Sequence, residues 1–321
     1  MNRIVSYILL SIIILLLIVG LDRFVIHKKS ELPGTNEQYY KIVAVPIPDK
    51  ISFAGEQLPL DIFYVREALD RELSVNTYWH SATLQISKKS QRWFPVFDSI
   101  LRANNIPQDF KYLAVIESAL SNVTSPAGAV GYWQFLKGTA KENGLEVNKE
   151  VDERYNVIKS TEAACRYFNK SYEKFGNWTL VAAAYNAGNR GVSRQIERQK
   201  TESFYDLLLS DETTRYIYRL AAMKIIFENP QIYGFYIDNE DVYPTISTRY
   251  VIVDYKIEDF ADFAKDNGVS YKLLKYFNPW LRQSYLKNRK KKVYKITIPM
   301  PPFDHTHESI ILNNNGISNV E

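Results

Sequence analysis

Residues 107–120 read PQDFKYLAVIESAL, and one charged residue within them governs the reading of the whole chain. At about 100° per residue, Phe110, Leu113, Ala114 and Glu117 fall on one stripe of a helix, with Glu117 near its centre. Tyr112, Val115 and Ile116 make the other faces apolar as well, so the helix is expected to be buried nearly all round. A carboxylate in such a place has two readings. It is structural if paired with an arginine or bonded to backbone amides. It is chemical if burial, by disfavouring the ionised form, raises its pKa to where a general acid works near neutral pH.

Working outward, residues 92–104 read as one helix, and Asn105, Ile106 and Pro107 as a break and restart. Ser160 can cap a helix that ends at Gly176, and Asn177 can cap the next, which ends at Gly188. From about residue 60 to residue 236 the pattern is helical throughout, with few alternating β-branched runs. The 18 residues 4–21 carry no charge and are just long enough to span a bilayer, which predicts an uncleaved membrane anchor within residues 1–27. Residues 28–60 are polar and rich in Pro and Gly, as in a tether. After a linker at 237–248, residues 249–254 (RYVIVD) and 293–298 (VYKITI) alternate as strands. They enclose helices at 257–267 and 270–277, a β-α-α-β unit in residues 249–300 followed by a tail at 301–321.

Composition narrows the chemistry. A length of 321 residues with 46% apolar content allows about two folded domains. A single cysteine, Cys165, excludes an intrachain disulfide and any cysteine metal cluster. The 4 histidines are His27, His80, His305 and His307, so no Ser/His or Cys/His nucleophile pair and no HExxH helix can be written between residues 81 and 304. His305 and His307 are expected to be solvated tail, and neither a metal nor a cofactor is expected.

Two more stretches carry side chains suited to a ligand. Residues 125–134 (SPAGAVGYWQ) join a turn with Gly128 and Gly131 to two aromatics and an amide. Glycine lets backbone approach a ligand closely, while an aromatic and an amide can stack on and hydrogen-bond a polar ring. Trp133 is expected in the core. Residues 180–188 (LVAAAYNAG) have an alanine run for close helix packing and end in Tyr185 and Asn186, which either face a cleft or close the helix.

Together, Glu117-Ser118, Gly131-Tyr132-Trp133-Gln134-Phe135 and Ala184-Tyr185-Asn186-Ala187-Gly188 resemble the ES, GLWQF and AYNAG motifs of family 1 lytic transglycosylases. The resemblance extends through Val151-Asp152-Glu153-Arg154 and Glu212-Thr213-Thr214-Arg215-Tyr216-Ile217, and covers roughly residues 90–236; Tyr132 stands where the family usually has Leu. The upstream helix is similar to the membrane-bound type D subgroup. The resemblance implies a mainly α fold, with a goose-lysozyme-like catalytic domain at residues 61–236. It also implies cleavage of peptidoglycan between N-acetylmuramic acid and N-acetylglucosamine. Glu117 would protonate the glycosidic oxygen and then, as carboxylate, take the proton from the muramoyl C6 hydroxyl, which closes a 1,6-anhydro ring. Ser125, Gln134, Tyr185, Glu212 and Tyr216 would line the sugar subsites, with Ser118 and Asn186 in support. Asp152, Glu153 and Glu212 are the carboxylates whose distance from Glu117 decides whether a second acid takes part. The alternatives are a non-catalytic wall-binding or scaffolding protein and a lysozyme-like hydrolase of the same bond.

The C-terminal β-α-α-β unit resembles a LysM module, which binds N-acetylglucosamine-containing glycans. Tyr255-Lys256-Ile257-Glu258-Asp259 stands where that family has a Gly-Asp-Thr turn. Between residues 267 and 303 lie nine Lys/Arg and no acid, so of a net +4 the remainder carries −5. The dense part, Arg289, Lys290, Lys291 and Lys292, is either a solvated loop or a contact for nucleic acid, anionic membrane or acidic wall polymer. With the resemblance, the expected partners are peptidoglycan glycan strands and, through residues 4–21, a bacterial membrane, with no nucleic acid. Flanking charges favour the wrong side, because Arg23, Lys28 and Lys29 follow the span and only Arg3 and the terminal amine precede it. The implied substrate instead puts the body on the periplasmic side of the inner membrane. Because the motifs end before Gly234, the module is expected to be separable, so that loss of residues 249–321 weakens wall attachment while sparing cleavage of short glycans.

Overall fold

The computed structural model describes residues 42–301, so the anchor expected at residues 4–21, His27, and the tail with His305 and His307 lie outside the described residues. Among the described residues no helix is long and apolar enough to cross a membrane. The fold is mainly helical. A two-stranded hairpin, β1 (Ser52–Phe53) and β2 (Glu56–Gln57), precedes α1 (Phe63–Tyr78), α2 (His80–Ala103), α3 (Lys111–Ser118) and α4 (Lys137–Glu142). Then follow α5 (Val157–Phe175), α6 (Trp178–Ala187), α7 (Asn189–Gln199) and α8 (Asp211–Glu228). The C-terminal unit is β3 (Thr248–Val253), α9 (Phe260–Asp266), α10 (Tyr271–Phe277) and β4 (Tyr294–Pro299), with β3 and β4 antiparallel in the order read from the sequence.

The core forms around α3. Phe110, Leu113 and Ala114 are wholly buried. Phe110 meets Phe168 at 4.6 Å between ring centres, Trp178 at 5.2 Å and Phe53 at 5.4 Å. Trp133, in the core as expected, donates from its indole nitrogen to Thr161 Oγ1 at 2.9 Å, which satisfies its one polar group.

Residues 45–60 are not a tether. Val45, Phe53, Leu58 and Leu60 are buried in the same core. The Glu56 carboxylate accepts from the backbone amides of Trp178 (2.6 Å) and Thr179 (2.9 Å) and from the Thr179 hydroxyl (2.6 Å). It therefore caps the N-terminus of α6 from 122 residues away, where free N–H groups and the helix dipole favour an anion. Asp109 holds the other end of the hairpin, accepting from Ala54 N and Lys224 Nζ, both at 2.7 Å. Pro and Gly in this segment serve packed turns, which a composition count cannot tell from a flexible strand of chain.

Other expectations shift in detail. The helix expected from residue 92 begins at His80 and carries Pro95 inside it. α5 is capped by Asn156, whose side chain accepts from Lys159 N, and Ser160 is buried inside the helix. Asn156 is the residue with extended backbone, the geometry a cap requires. Gly176 in the left-handed region and Asn177 as the next cap lie where expected.

The C-terminal unit does not hang free. Val151 is part of its apolar cluster and forms a β-bridge with Leu281. Backbone bonds join Asp152 N to Trp280 O (2.9 Å) and Arg282 N to Glu150 O (2.8 Å). The stretch at 237–248 is likewise fastened to α2, through Tyr243 N to Lys88 O (3.0 Å) and Arg92 Nε to Pro244 O (2.9 Å).

Candidate active site

Glu117 lies in the last turn of α3, which stops abruptly one residue later. Ala119 (φ 50°) and Leu120 (φ 53°) are consecutive non-glycine residues in the left-handed region, a conformation that persists only where its surroundings impose it. Several contacts impose it here. Leu120 is buried, Ser118 Oγ donates to Ala114 O (2.9 Å), and Ser121 N donates to Ser118 Oγ. Lys89 Nζ donates to Ala119 O (3.2 Å) and Ser121 Oγ (2.7 Å). Ser118 thus braces the helix end.

Glu117 itself is half-buried, and its carboxylate meets a hydroxyl. Tyr216, buried on α8, donates from Oη to Glu117 Oε1 at 2.5 Å. Burial raises the Glu117 pKa above the ordinary carboxylate value, and the negative charge of Glu212 adds to the rise; the Tyr216 hydrogen bond and the positive charge of Arg219 oppose it. Arg219 is on α8 three residues beyond Tyr216 and donates to Ile116 O (3.2 Å), so the same helix face supplies both groups. Tyr185 and Tyr216 are pushed well above the usual phenol value, first by burial and then by the charge of Glu117, so both stay protonated.

The remaining residues read from the sequence each sit in local hydrogen bonds of the 125–135 loop, α6 and α8. Tyr185 Oη donates to Trp133 O at 2.5 Å, which ties α6 to the 125–135 loop. Gln134, with φ 48°, donates from Nε2 to Gly131 O (2.7 Å) and Val123 O (3.1 Å). Ser125 Oγ accepts from Ala129 N (3.1 Å) and closes the turn at the loop's start. Asn186 links Glu212 to Thr213, donating to Glu212 Oε1 (3.2 Å) and accepting from Thr213 Oγ1 (2.7 Å). Glu212 itself is exposed.

Of the three further carboxylates, only Glu212 is among the charges acting on Glu117. Asp152 is engaged by Arg154, Nε to Oδ1 at 2.9 Å and Nη2 to Oδ2 at 2.7 Å, and both side chains are buried. Glu153 accepts from Glu146 N (2.7 Å). The site is therefore one half-buried acid whose proton is governed by a buried phenol, an arginine and one more distant acid. Such a group can give a proton to a leaving oxygen and take one back.

Among the described residues no group of His, Cys, Asp and Glu is arranged to hold a metal. Burial pushes the Cys165 thiol up to about 12, which makes it inert as a nucleophile. Sequence reasoning missed Arg219 and the roles of Lys89 and Arg154. The i, i+3 spacing from Tyr216 was the available sign for Arg219, and Arg154 lay inside the quoted motif.

Residues 95–208 match the Transglycosylase SLT domain, and residues 249–301 match the Soluble lytic transglycosylase C-terminal LysM-like domain. The chain is 29% identical over 250 residues to the Membrane-bound lytic murein transglycosylase D of Escherichia coli (strain K12), covering 75% of this chain and 54% of that protein. The same figures hold for the protein of that name in Escherichia coli O6:H1 (strain CFT073). The chain thus spans about half the length of the curated relatives it matches.

Proposed function

We propose that this protein is a peptidoglycan lytic transglycosylase that cleaves the bond between N-acetylmuramic acid and N-acetylglucosamine and leaves a 1,6-anhydro end. The observation that carries this reading is the Glu117–Tyr216 bond at 2.5 Å, with Glu117 inside the segment that matches the Transglycosylase SLT domain and Tyr216 eight residues beyond its end. Glu117, whose pKa burial raises, gives its proton to the glycosidic oxygen as the C1–O bond breaks. The carboxylate so formed is stabilised by the Tyr216 hydroxyl and by Arg219. It then removes the proton from the muramoyl C6 hydroxyl as that oxygen bonds to C1, so the acid is regenerated without water.

Ser125, Gln134, Tyr185 and Glu212 are assigned to the sugar subsites, with Asn186 orienting Glu212. The fold assignment is goose-lysozyme-like for the helical part, with residues 45–60 joined to it and a LysM-like module after it. Residues 4–21 are assigned as the membrane anchor, with the body facing the wall, a reading supported by the membrane-bound relatives.

Mass spectrometry of digested peptidoglycan tests the chemistry. Anhydro-muramoyl ends support it, hydrated reducing ends mean a hydrolase, and uncut strands mean a binding protein. For the anchor, a membrane-associated protein that retains its N-terminus is expected; a soluble form beginning near residue 21 would show a cleaved signal instead.

A further inference from the structure

The segment at residues 146–155 faces two ways. On one side it carries the C-terminal module. Besides the bridge between Val151 and Leu281, Lys292 Nζ (2.8 Å) and Tyr294 Oη (3.1 Å) donate to Glu146 Oε2, and Lys287 N donates to Glu150 Oε2 (2.9 Å). The Arg282 guanidinium lies 4.1 Å from the centre of the Tyr155 ring. On the other side the segment holds the loop at 125–135. Arg154, fixed by both oxygens of Asp152, donates from Nη1 to Gly128 O and Phe135 O, both at 3.1 Å. The Arg154 carbonyl lies against Gly131 so closely that a β-carbon there would sit 2.1 Å from it. Tyr155 reaches Thr124 Oγ1 (3.0 Å) and accepts at its carbonyl from Asn122 Nδ2 (3.0 Å).

We infer that the C-terminal module is a positioning element for the 125–135 loop, acting through Asp152, Arg154 and Tyr155, rather than a separable attachment arm. The chain of contacts is continuous. Trp280 O and Leu281 hold residues 151–152 from the module side, the Asp152 carboxylate orients Arg154, and Arg154 fixes the two carbonyls at either end of Gly128–Phe135. Asp152 and Arg154 are both buried, so neither can find a substitute partner in water if the segment shifts. The loop in turn holds Tyr185 through Trp133 O. The consequence for turnover rests on the function proposed above, but the mechanical coupling does not.

The test uses the full chain and amide hydrogen exchange. The double variant Arg282→Glu/Lys292→Glu takes the cation off the Tyr155 ring and sets a like charge against Glu146 without touching either core. Lys265→Glu/Lys272→Glu makes the same charge change on exposed residues of the module. Val151→Asp, which puts a carboxylate into the module's apolar cluster, serves if charge reversal leaves the module docked. Faster exchange at the amides of Asp152 and Arg282 reports release. The inference expects release to be accompanied by faster exchange at Gly128, Val130, Gly131 and Phe135, with the control variant unchanged. It also expects kcat on short soluble glycans to fall on the order of tenfold or more, since misplacing a positioning group by about 1 Å can cost 10²-fold. Release with the loop amides still protected overturns it. If the wild-type chain fails to cut glycan at all, the functional reading fails, and the exchange data alone decide the coupling.

Discussion

The Tyr216 hydroxyl donates to Glu117 Oε1 at 2.5 Å across 99 residues of sequence, from one helix of the core to the last turn of another. The bond stabilises the carboxylate, whereas burial of Glu117 opposes it, and burial is the larger effect because the Glu117 pKa is raised. The pair therefore favours the protonated acid more than a solvated carboxyl would and has a donor ready once that proton leaves.

Replacing the acid by its neutral isostere tests this directly. Glu117→Gln should fold normally and release anhydro-muropeptides at a rate reduced by about 10²–10⁴-fold or more, because one group serves both proton transfers. A raised folded-state pKa contributes stability below the unfolded carboxylate value and loses it as pH rises through the folded value. The variant should therefore gain in thermal midpoint relative to wild type between acid and neutral pH. Full turnover with a clearly lowered midpoint would make Glu117 a structural residue.

Tyr216→Phe removes the donor and keeps the ring. A hydrogen bond to a charged group is worth about 1.5–3 kcal/mol. Its loss should push the Glu117 pKa further up and move the basic limb of the kcat–pH profile to higher pH, with lower kcat wherever the carboxylate must act as base. An unmoved basic limb would separate the two residues functionally.

Glu212→Gln should move the same limb in the opposite direction. Its negative charge raises the Glu117 pKa, and removing it relieves the repulsion. Glu212 is exposed and salt screens its charge, so the shift should shrink between low and physiological ionic strength. A shift independent of salt would mean that the substitution acts by moving Asn186 instead.

Gly131→Ala should be among the most damaging substitutions in the loop. Gly131 has φ 86°, and the added methyl would meet the Arg154 carbonyl at 2.1 Å. Backbone strain of this kind costs about 1–3 kcal/mol before the clash is counted. Gly128→Ala, also at positive φ but with open space around it, should cost less. Urea midpoints of the two variants give the comparison.

Phe53→Ala probes the segment that composition alone would leave as a tether. Phe53 is wholly buried against Phe110, so the substitution should cost roughly 3–5 kcal/mol in urea unfolding. A flexible tether would lose almost nothing.

What the sequence determined by itself was local. The spacing of Phe110, Leu113 and Ala114 was enough to turn Glu117 inward, the left-handed Gly176 and the cap Asn177 marked helix ends, and alternation marked β3 and β4. Each depends on residues within a turn or two of one another, where backbone geometry is periodic. Only the tertiary structure decided which groups meet: Tyr216 on Glu117, Glu56 on the start of α6, Arg154 on Phe135 O, and the C-terminal module on Val151. Periodicity says that a face is buried but not against what. A buried polar group takes its partner from whatever the packing brings within about 3 Å, and no local pattern encodes that.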